Sequence, residues 1–499
     1  MRNSKLRGIL AALLAVLMLL SAVACTGGTT DDTTIGDTTA ETPTETPTET
    51  PTEAPTETEF EQIPEDVVDE HTYDFYITLG TMPTLYATLN AYTRQNPNTY
   101  MWFLRGNTIS YEYSADFIHY FPTQSQTNAS SEVNWALIRD KVKEIKAADP
   151  EAKFHLFCDD LRVSFIPHIF VYGGVDFEDL RVTFLSDGTG TYNNFAAMTD
   201  SYYAGYADLW ASSLETYKNG RDNPDFVPPY EDTQQSMQDL QYLAFYVATF
   251  DNVDFWVQSP DYLVNEQAAV DAARSTMHIV KKDPAAMYAA LPAAVRADYQ
   301  KVVLANALVD SDTLHTLEDA VAYFDSKLAG RDKEIVLILG TNKKTLDENK
   351  FYIDETLRFY TPTHANEEGT KVTYKGKTYD VAAGATTVTV DGKELKIGEL
   401  GVYLFFKGHP AHPADETLQG YFADHGIEIL PHRTPVETLF WMYDVKVGGY
   451  ESTSFLSCYK GQTEFIYEQP KAEAIQQMMN VGFFEGVAIF EAPVTEPEA

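Results

Sequence analysis

The residues best suited to chemistry in this chain are few and far apart. Asp187 sits in Ser186-Asp187-Gly188, directly after the apolar run Val182 to Leu185. A carboxylate is thereby delivered at the end of a strand, and Gly188 allows a tight turn and close ligand approach. Such a carboxylate can take a proton from a hydroxyl. Far downstream, Lys407-Gly408-His409-Pro410 follows the strand-like run Gly401 to Phe406. It brings an ammonium and an imidazole to a second strand end, where the imidazole can give up a proton near neutral pH and Pro410 fixes the exit of the chain. Val447-Gly448-Gly449 reads as a strand and a glycine turn leading to a helix start at Ser452 and Thr453. Hydroxyls and backbone N–H groups at such a start suit a phosphate. Glu437, near a helix start in Pro435 to Phe440, can take the two hydroxyls of a ribose or simply complement the helix dipole. Taken singly, each has an ordinary explanation as a turn or a helix cap.

The elements that must position these residues are α/β in character. Tyr73–Leu79, Tyr100–Leu104, Phe117–Phe121, Lys153–Phe157 and Val182–Leu185 are predicted strands, apolar on both faces as in a buried parallel sheet. Ser131–Ala148 reads as an amphipathic helix with Val133, Leu137, Val142 and Ile145 on one side. Residues 194–330 read as mostly helical. The alternation then resumes with Glu334–Leu339, which runs into Gly340-Thr341, and with Gly401–Phe406, Ile427–Leu430 and Glu464–Tyr467. Thr370–Ile397, turning at Asp391-Gly392, reads as an inserted β-hairpin. Two separated α/β blocks predict two Rossmann-like domains facing each other across a cleft, with ligands outside the C-terminal strand ends. The predicted boundaries are a first domain at 71–250, a second at 251–475 and a tail at 476–499 that crosses back to the first.

The first seventy residues read as export and spacing. Arg2, Lys5 and Arg7 precede the apolar run Ile9 to Leu20, and Ala22-Val23-Ala24-Cys25 resembles a bacterial lipobox. The run is too short to span a bilayer, so residues 1–24 are predicted to be a signal peptide and Cys25 the lipid-carrying end of the mature chain. In residues 25–70, Thr-Pro-Thr-Glu recurs around Pro43, Pro47 and Pro51 with no Lys or Arg, which predicts an extended stalk without a core. The formal charge is −38. Three cations at the start and fourteen uncompensated acids in the stalk leave −27 on the body. That sign argues against a nucleic-acid partner, while a sugar nucleotide can still bind through helix N-termini and a few local cations. Cys158 and Cys458 remain after Cys25 and read as two separate buried thiols. His409, His412 and Asp415 do not form a metal motif, because Pro410 and Pro413 interrupt any helix that would align them.

The order Asp-Gly, Lys-Gly-His-Pro, Glu, Gly-Gly-x-x-Ser-Thr resembles the multifunctional bacterial sialyltransferases of glycosyltransferase family 80. The likeness runs from about residue 72 to 475 and includes the opening strand and turn through Thr81, the strand ending at Leu104-Arg105, and the Gly340-Thr341 turn. It implies a GT-B fold and an inverting, metal-independent transfer from CMP-sialic acid to a galactoside hydroxyl, with no cofactor. By the resemblance, Asp187 is the general base and His409 the general acid. Lys407, Gly408, Pro410, Glu437, Ser452, Thr453, Gly340 and Thr341 bind the donor, and Arg105 and Thr81 contact the acceptor. Ser186 stands where the family carries a further acidic residue, Thr78 where it usually has Asp, and Lys344 near an acceptor-stacking tryptophan. Two other readings fit the same architecture: a lipid-anchored sugar-binding protein of a transport system, and a GT-B glycosyltransferase using a different nucleotide sugar. The lipid reading is tested by Cys25→Ser, which should release the body from the membrane fraction or block its processing. Unchanged, detergent-dependent membrane association of that variant would contradict it.

Overall fold

The computed structural model describes residues 67–103, 115–121, 135–160, 165–223, 225–226, 243–410, 412–480 and 484–493. Cys25, the stalk up to residue 66 and Arg105 lie outside the described residues. The described residues belong to one compact unit and build two parallel sheets.

The first sheet has seven strands: β1 Thr72–Thr78, β2 Thr99–Phe103, β3 Ile118–Tyr120, β4 Lys153–Asp159, β5 Leu180–Leu185, β6 Val253–Val257 and β7 Ile279–Lys281. Their order is β3-β2-β1-β4-β5-β6-β7, every neighbouring pair parallel. The central strands are buried almost throughout, which is why they read as apolar runs without alternation. The predicted helix is present as Ala136–Ala148, with Ile138, Val142 and Ile145 buried. Strands β6 and β7 were not anticipated within the stretch read as helical, and they carry the first sheet past residue 250. Only five and three residues long and set among helices, they offer too short a period to distinguish a strand from a helical turn.

The second sheet contains β8 Glu334–Leu339, β14 Val402–Lys407, β15 Ile427–Leu430, β16 Lys446–Tyr450, β17 Thr463–Tyr467 and β18 Ala488–Phe490. Its order is β15-β14-β8-β16-β17-β18, again all parallel. Along β8, Ile335, Leu337 and Leu339 join the apolar cluster that continues into the first sheet. Val336 and Ile338 face a second cluster, with Tyr352, Ile353, Leu418 and Phe422 from the helices Leu346–Phe359 and Glu416–Asp424. The insertion is larger than one hairpin. A three-stranded sheet, β9 Thr363–His364, β10 Lys371–Tyr374 and β11 Lys377–Asp380, is followed by the hairpin β12 Thr387–Val390 with β13 Lys393–Lys396, around Val372, Tyr374, Val388 and Val390. Near the C-terminus, the helix Glu473–Asn480 packs on the helix Thr189–Ala197 of the first half, and β18 then returns to β17.

Both sheets reverse their winding beside their first strand, between β1 and β4 in one and between β8 and β16 in the other. In doubly wound sheets that reversal opens a crevice at the C-terminal strand ends.

The first half also buries a titratable group. His168 is fully enclosed, with Nδ1 donating to the Phe165 carbonyl at 2.9 Å and Nε2 accepting from the Ser213 hydroxyl at 2.6 Å. Burial pushes this imidazole down from 6.5 to about 4. The unfolded chain therefore binds a proton first. Stability present above pH 6.5 should be lost as pH falls towards 4, by roughly 3 kcal/mol from this group. Urea unfolding at pH 7.5 and 4.5 should show a smaller acid loss for His168→Gln than for the native chain. Equal losses would contradict this account.

Candidate active site

The first crevice is built from the exits of β1, β4 and β5. After β1 the chain passes through Gly80 into the helix Thr81–Arg94. The Gly80 N–H donates to Asp159 Oδ2 at 2.8 Å. A Cβ added at Gly80 would lie 1.9 Å from Asp187 Oδ1, so this glycine is what lets the Asp187 carboxylate sit at the start of that helix. Negative charge is favoured there by the helix dipole. Thr81, expected on the acceptor side, is the first residue of the same helix and partly exposed.

Asp187 itself is half-buried between β5 and the helix Thr189–Ala197. Its N–H is shared between Thr191 Oγ1 at 2.8 Å and Asp160 Oδ1 at 3.0 Å, and the Thr191 hydroxyl donates to Asp160 Oδ2 at 2.7 Å. Asp160 is completely enclosed. Burial, then the charges of Asp159 and Asp187, raise its carboxyl well above the usual carboxylate range. The acidic neighbours of Asp187 thus come from β4 and not from position 186. Sequence reasoning missed Asp159 and Asp160, although an acidic pair directly after a buried strand was the available signal.

In the second crevice, Gly340 follows β8 and its N–H donates to the Lys407 carbonyl at 2.9 Å. A Cβ there would lie 2.6 Å from the Phe406 ring and 3.2 Å from Gly408 Cα. The exits of β8 and β14 are therefore in contact. Thr341 comes next and donates to Asn342 Oδ1 at 3.4 Å. Lys407 is buried, and its ammonium donates to the carbonyls of Gly408 at 2.8 Å and His432 at 2.5 Å. The ammonium expected at the mouth of the sheet lies beneath the turn, binding it to the exit of β15. His409 is exposed above that turn, its ring 5.0 Å from that of His412, whose N–H donates to the His409 carbonyl at 3.0 Å. Pro410 follows, partly exposed.

The Gly448-Gly449 pair is not a turn. Both residues lie inside β16, where a Cβ would meet the Phe465 ring at 2.3 Å and the Leu339 carbonyl oxygen at 2.4 Å. They allow β16 to lie close to β8 and β17. Beyond β16, Ser452 caps the short helical turn Thr453–Ser457 by accepting the Ser454 N–H at 3.2 Å. A relay of hydroxyls runs inward from there. Ser452 Oγ donates to Ser454 Oγ at 3.1 Å, and Ser454 Oγ donates to Glu437 Oε1 at 2.6 Å. Glu437 is the second residue of the helix Val436–Met442, as expected of a helix start, and is buried.

The two crevices meet at Thr453. Its Cγ2 lies 1.9 Å from where a Cβ on Gly188 would be, and its hydroxyl is 2.8 Å from that of Thr189. Gly188 has φ +70°, in the left-handed region that favours glycine. The Asp-Gly and Ser-Thr motifs, 265 positions apart, therefore touch. His409 belongs to the exit of β14, which is separated from β16 by β8 alone. Two strand spacings put those exits roughly 10 Å apart. A surface depression lined by Trp441, Tyr443, Lys446 and Tyr459 lies at the opposite, N-terminal ends of β16 and β17 and takes in none of these residues.

No family model matches this sequence. No curated protein matches it. Among solved structures, the chain is similar to a 2,6-sialyltransferase of Photobacterium sp. JT-ISH-224, crystallised in a ternary complex with the donor product CMP and the acceptor substrate lactose. Identity is 12%, 84% of this chain and 78% of that one are covered, and the TM-score is 0.50. A sialyltransferase of Photobacterium damsela is matched at 15% identity, with 84% and 81% covered and a TM-score of 0.49. The first of these likenesses shows a shared fold, of the GT-B type expected from the sequence.

The Gly188–Thr453 contact makes a specific prediction. Gly188→Ala places a methyl in the space of Thr453 Cγ2 at a strained φ and should cost about 1–3 kcal/mol. Adding Thr453→Ser, which removes Cγ2 and keeps the hydroxyl, should recover part of that loss in thermal unfolding. Strict additivity of the two substitutions would contradict the contact.

Proposed function

We propose that this chain is an inverting, metal-independent sialyltransferase that moves sialic acid from CMP-sialic acid to a hydroxyl of a galactoside glycan. The observation that carries this reading is the contact of Gly188 and Thr189 with Thr453, which unites the exit bearing Asp187 with the hydroxyl loop. The fold shared with a sialyltransferase crystallised with CMP and lactose supports it.

In this reading the donor phosphate is held by Ser452 and Thr453, the latter exchanging its bond to Thr189 for one to the phosphate. Glu437, with Oε1 taken by Ser454, offers Oε2 to the ribose hydroxyls. Gly340, Thr341, Gly408 and Pro410 shape the donor side, and Lys407 holds their turn in place. The acceptor enters beside Thr81 and Arg105. Its hydroxyl oxygen bonds to the anomeric carbon of the sialic acid while the bond from that carbon to the phosphate oxygen breaks. Asp187 takes the hydroxyl proton, and His409 gives a proton to the departing phosphate. Each proton transfer contributes roughly 10²–10⁴-fold, about 3–5 kcal/mol of barrier. A lipid on Cys25 and the stalk would hold this body outside the cell, off the membrane surface.

The deciding experiment supplies CMP-sialic acid and lactose and looks for sialyl-lactose, with and without EDTA. Product should form equally in both. Asp187→Ala should lower turnover roughly 10²–10⁴-fold while CMP still binds. His409→Ala should lose turnover and be partly rescued by a donor with a better leaving group, a rescue that Asp187→Ala should not show. Near-normal transfer by folded Asp187→Ala, or restoration of EDTA-treated enzyme by a divalent ion, would overturn the mechanism.

A further inference from the structure

The central strand β4 ends in Asp159, and Asp160 follows directly; between them they bond to the exits of both neighbouring strands. In the order β1-β4-β5, Asp159 holds the exit of β1 through the Gly80 N–H, and Asp160 holds the exit of β5 through the Asp187 N–H. One adjacent pair, the last residue of β4 and the first beyond it, thus reaches the exits on both flanks. The two bonds converge, because the exits they hold are those where Gly80 and the Asp187 carboxylate come into contact.

The Asp160 side is the more fully built. Asp160 is enclosed, and each carboxyl oxygen accepts one bond, from the Asp187 N–H and from the Thr191 hydroxyl. Thr191 Oγ1 in turn accepts the same Asp187 N–H at 2.8 Å. Asp160, Thr191 and the Asp187 main chain therefore form a closed triangle directly before the left-handed Gly188. Burial and the two neighbouring carboxylates raise the Asp160 carboxyl well above the usual carboxylate range, while its two oxygens accept the two bonds. The Asp187 side chain lies outside the triangle, turned towards Gly80.

We propose that Asp160 is a positioning residue for Asp187, with Thr191 as its partner, fixing the main chain from which the Asp187 carboxylate is presented. This rests on the assignment of Asp187 as base. If that holds, Asp160 acts on turnover and not on donor affinity, since misplacing a catalytic group by about 1 Å can cost roughly 10²-fold.

The test compares Asp160→Asn, Asp160→Ala and Thr191→Val in the full-length protein. Asn keeps an acceptor for the Asp187 N–H, and its amide N–H can donate to Thr191 Oγ1 in place of the bond that the Thr191 hydroxyl donates to Asp160, so Asp160→Asn should stay within a few-fold of native turnover. Asp160→Ala and Thr191→Val should each lower kcat roughly 10–100-fold, with the CMP Kd and the lactose KM unchanged. Full turnover by folded Asp160→Ala would overturn the proposal. So would Asp160→Asn as impaired as Asp160→Ala, since a charge and not an acceptor would then be required. Hydrogen exchange over residues 185–191 provides a readout independent of activity: the Asp187 amide should be protected in the native chain and in Asp160→Asn, and exposed in Asp160→Ala. If the native protein transfers no sialic acid, the functional reading fails, and exchange alone decides the triangle. Identical exchange in native and Asp160→Ala protein would overturn it.

Discussion

The arrangement of the cleft depends on a missing side chain. At Gly188 the backbone turns left-handed against the methyl of Thr453, and no Cβ fits between them. Because of that gap, the loop after β5 and the loop after β16 touch, and a hydroxyl pair joins them. A larger residue would force apart the loops that carry Asp187 and the Ser452-Thr453 pair. The remaining contacts between the halves, such as the helix Glu473–Asn480 on the helix Thr189–Ala197, hold that closure from the side.

Glycine does the same work elsewhere by a different route. Gly80, Gly340, Gly448 and Gly449 are needed for what lies beside them, respectively the Asp187 carboxylate, the Phe406 ring, the Phe465 ring and the Leu339 backbone. Each sits where strands reverse their winding and the crevice opens, so backbones must approach without intervening side chains.

Charge is handled economically in this acidic body. Three carboxylates from β4 and β5 gather at one crevice, and full ionisation of all three there would be costly. Burial raises the Asp160 carboxyl well above the usual carboxylate range, while Asp187 keeps partial exposure and the favourable end of a helix. On the opposite side, the Lys407 ammonium is committed to two carbonyls under the His409 turn.

Much of this was legible in the sequence, and the limits have a common cause. Strands such as Glu334–Leu339 and Gly401–Phe406 are apolar runs bounded by turn residues, because burial on both faces demands that composition. Glu437 reads as a helix start because Pro435 and its neighbours allow little else. Gly448-Gly449, in contrast, reads as a turn although both residues are strand, since a local pattern cannot show that Leu339 and Phe465 lie alongside. Strands β6 and β7 were hidden among helices for want of length. Asp159 and Asp160 stand twenty-seven and more residues from Asp187, and only the strand order β1-β4-β5 makes them its neighbours. The sequence alone determined the types of residue available and the elements that carry them, because those follow from periodicity and turn chemistry within a few residues. Which of them meet, and how deeply each is buried, was decided by the tertiary structure, because burial and close approach depend on strands distant in the chain.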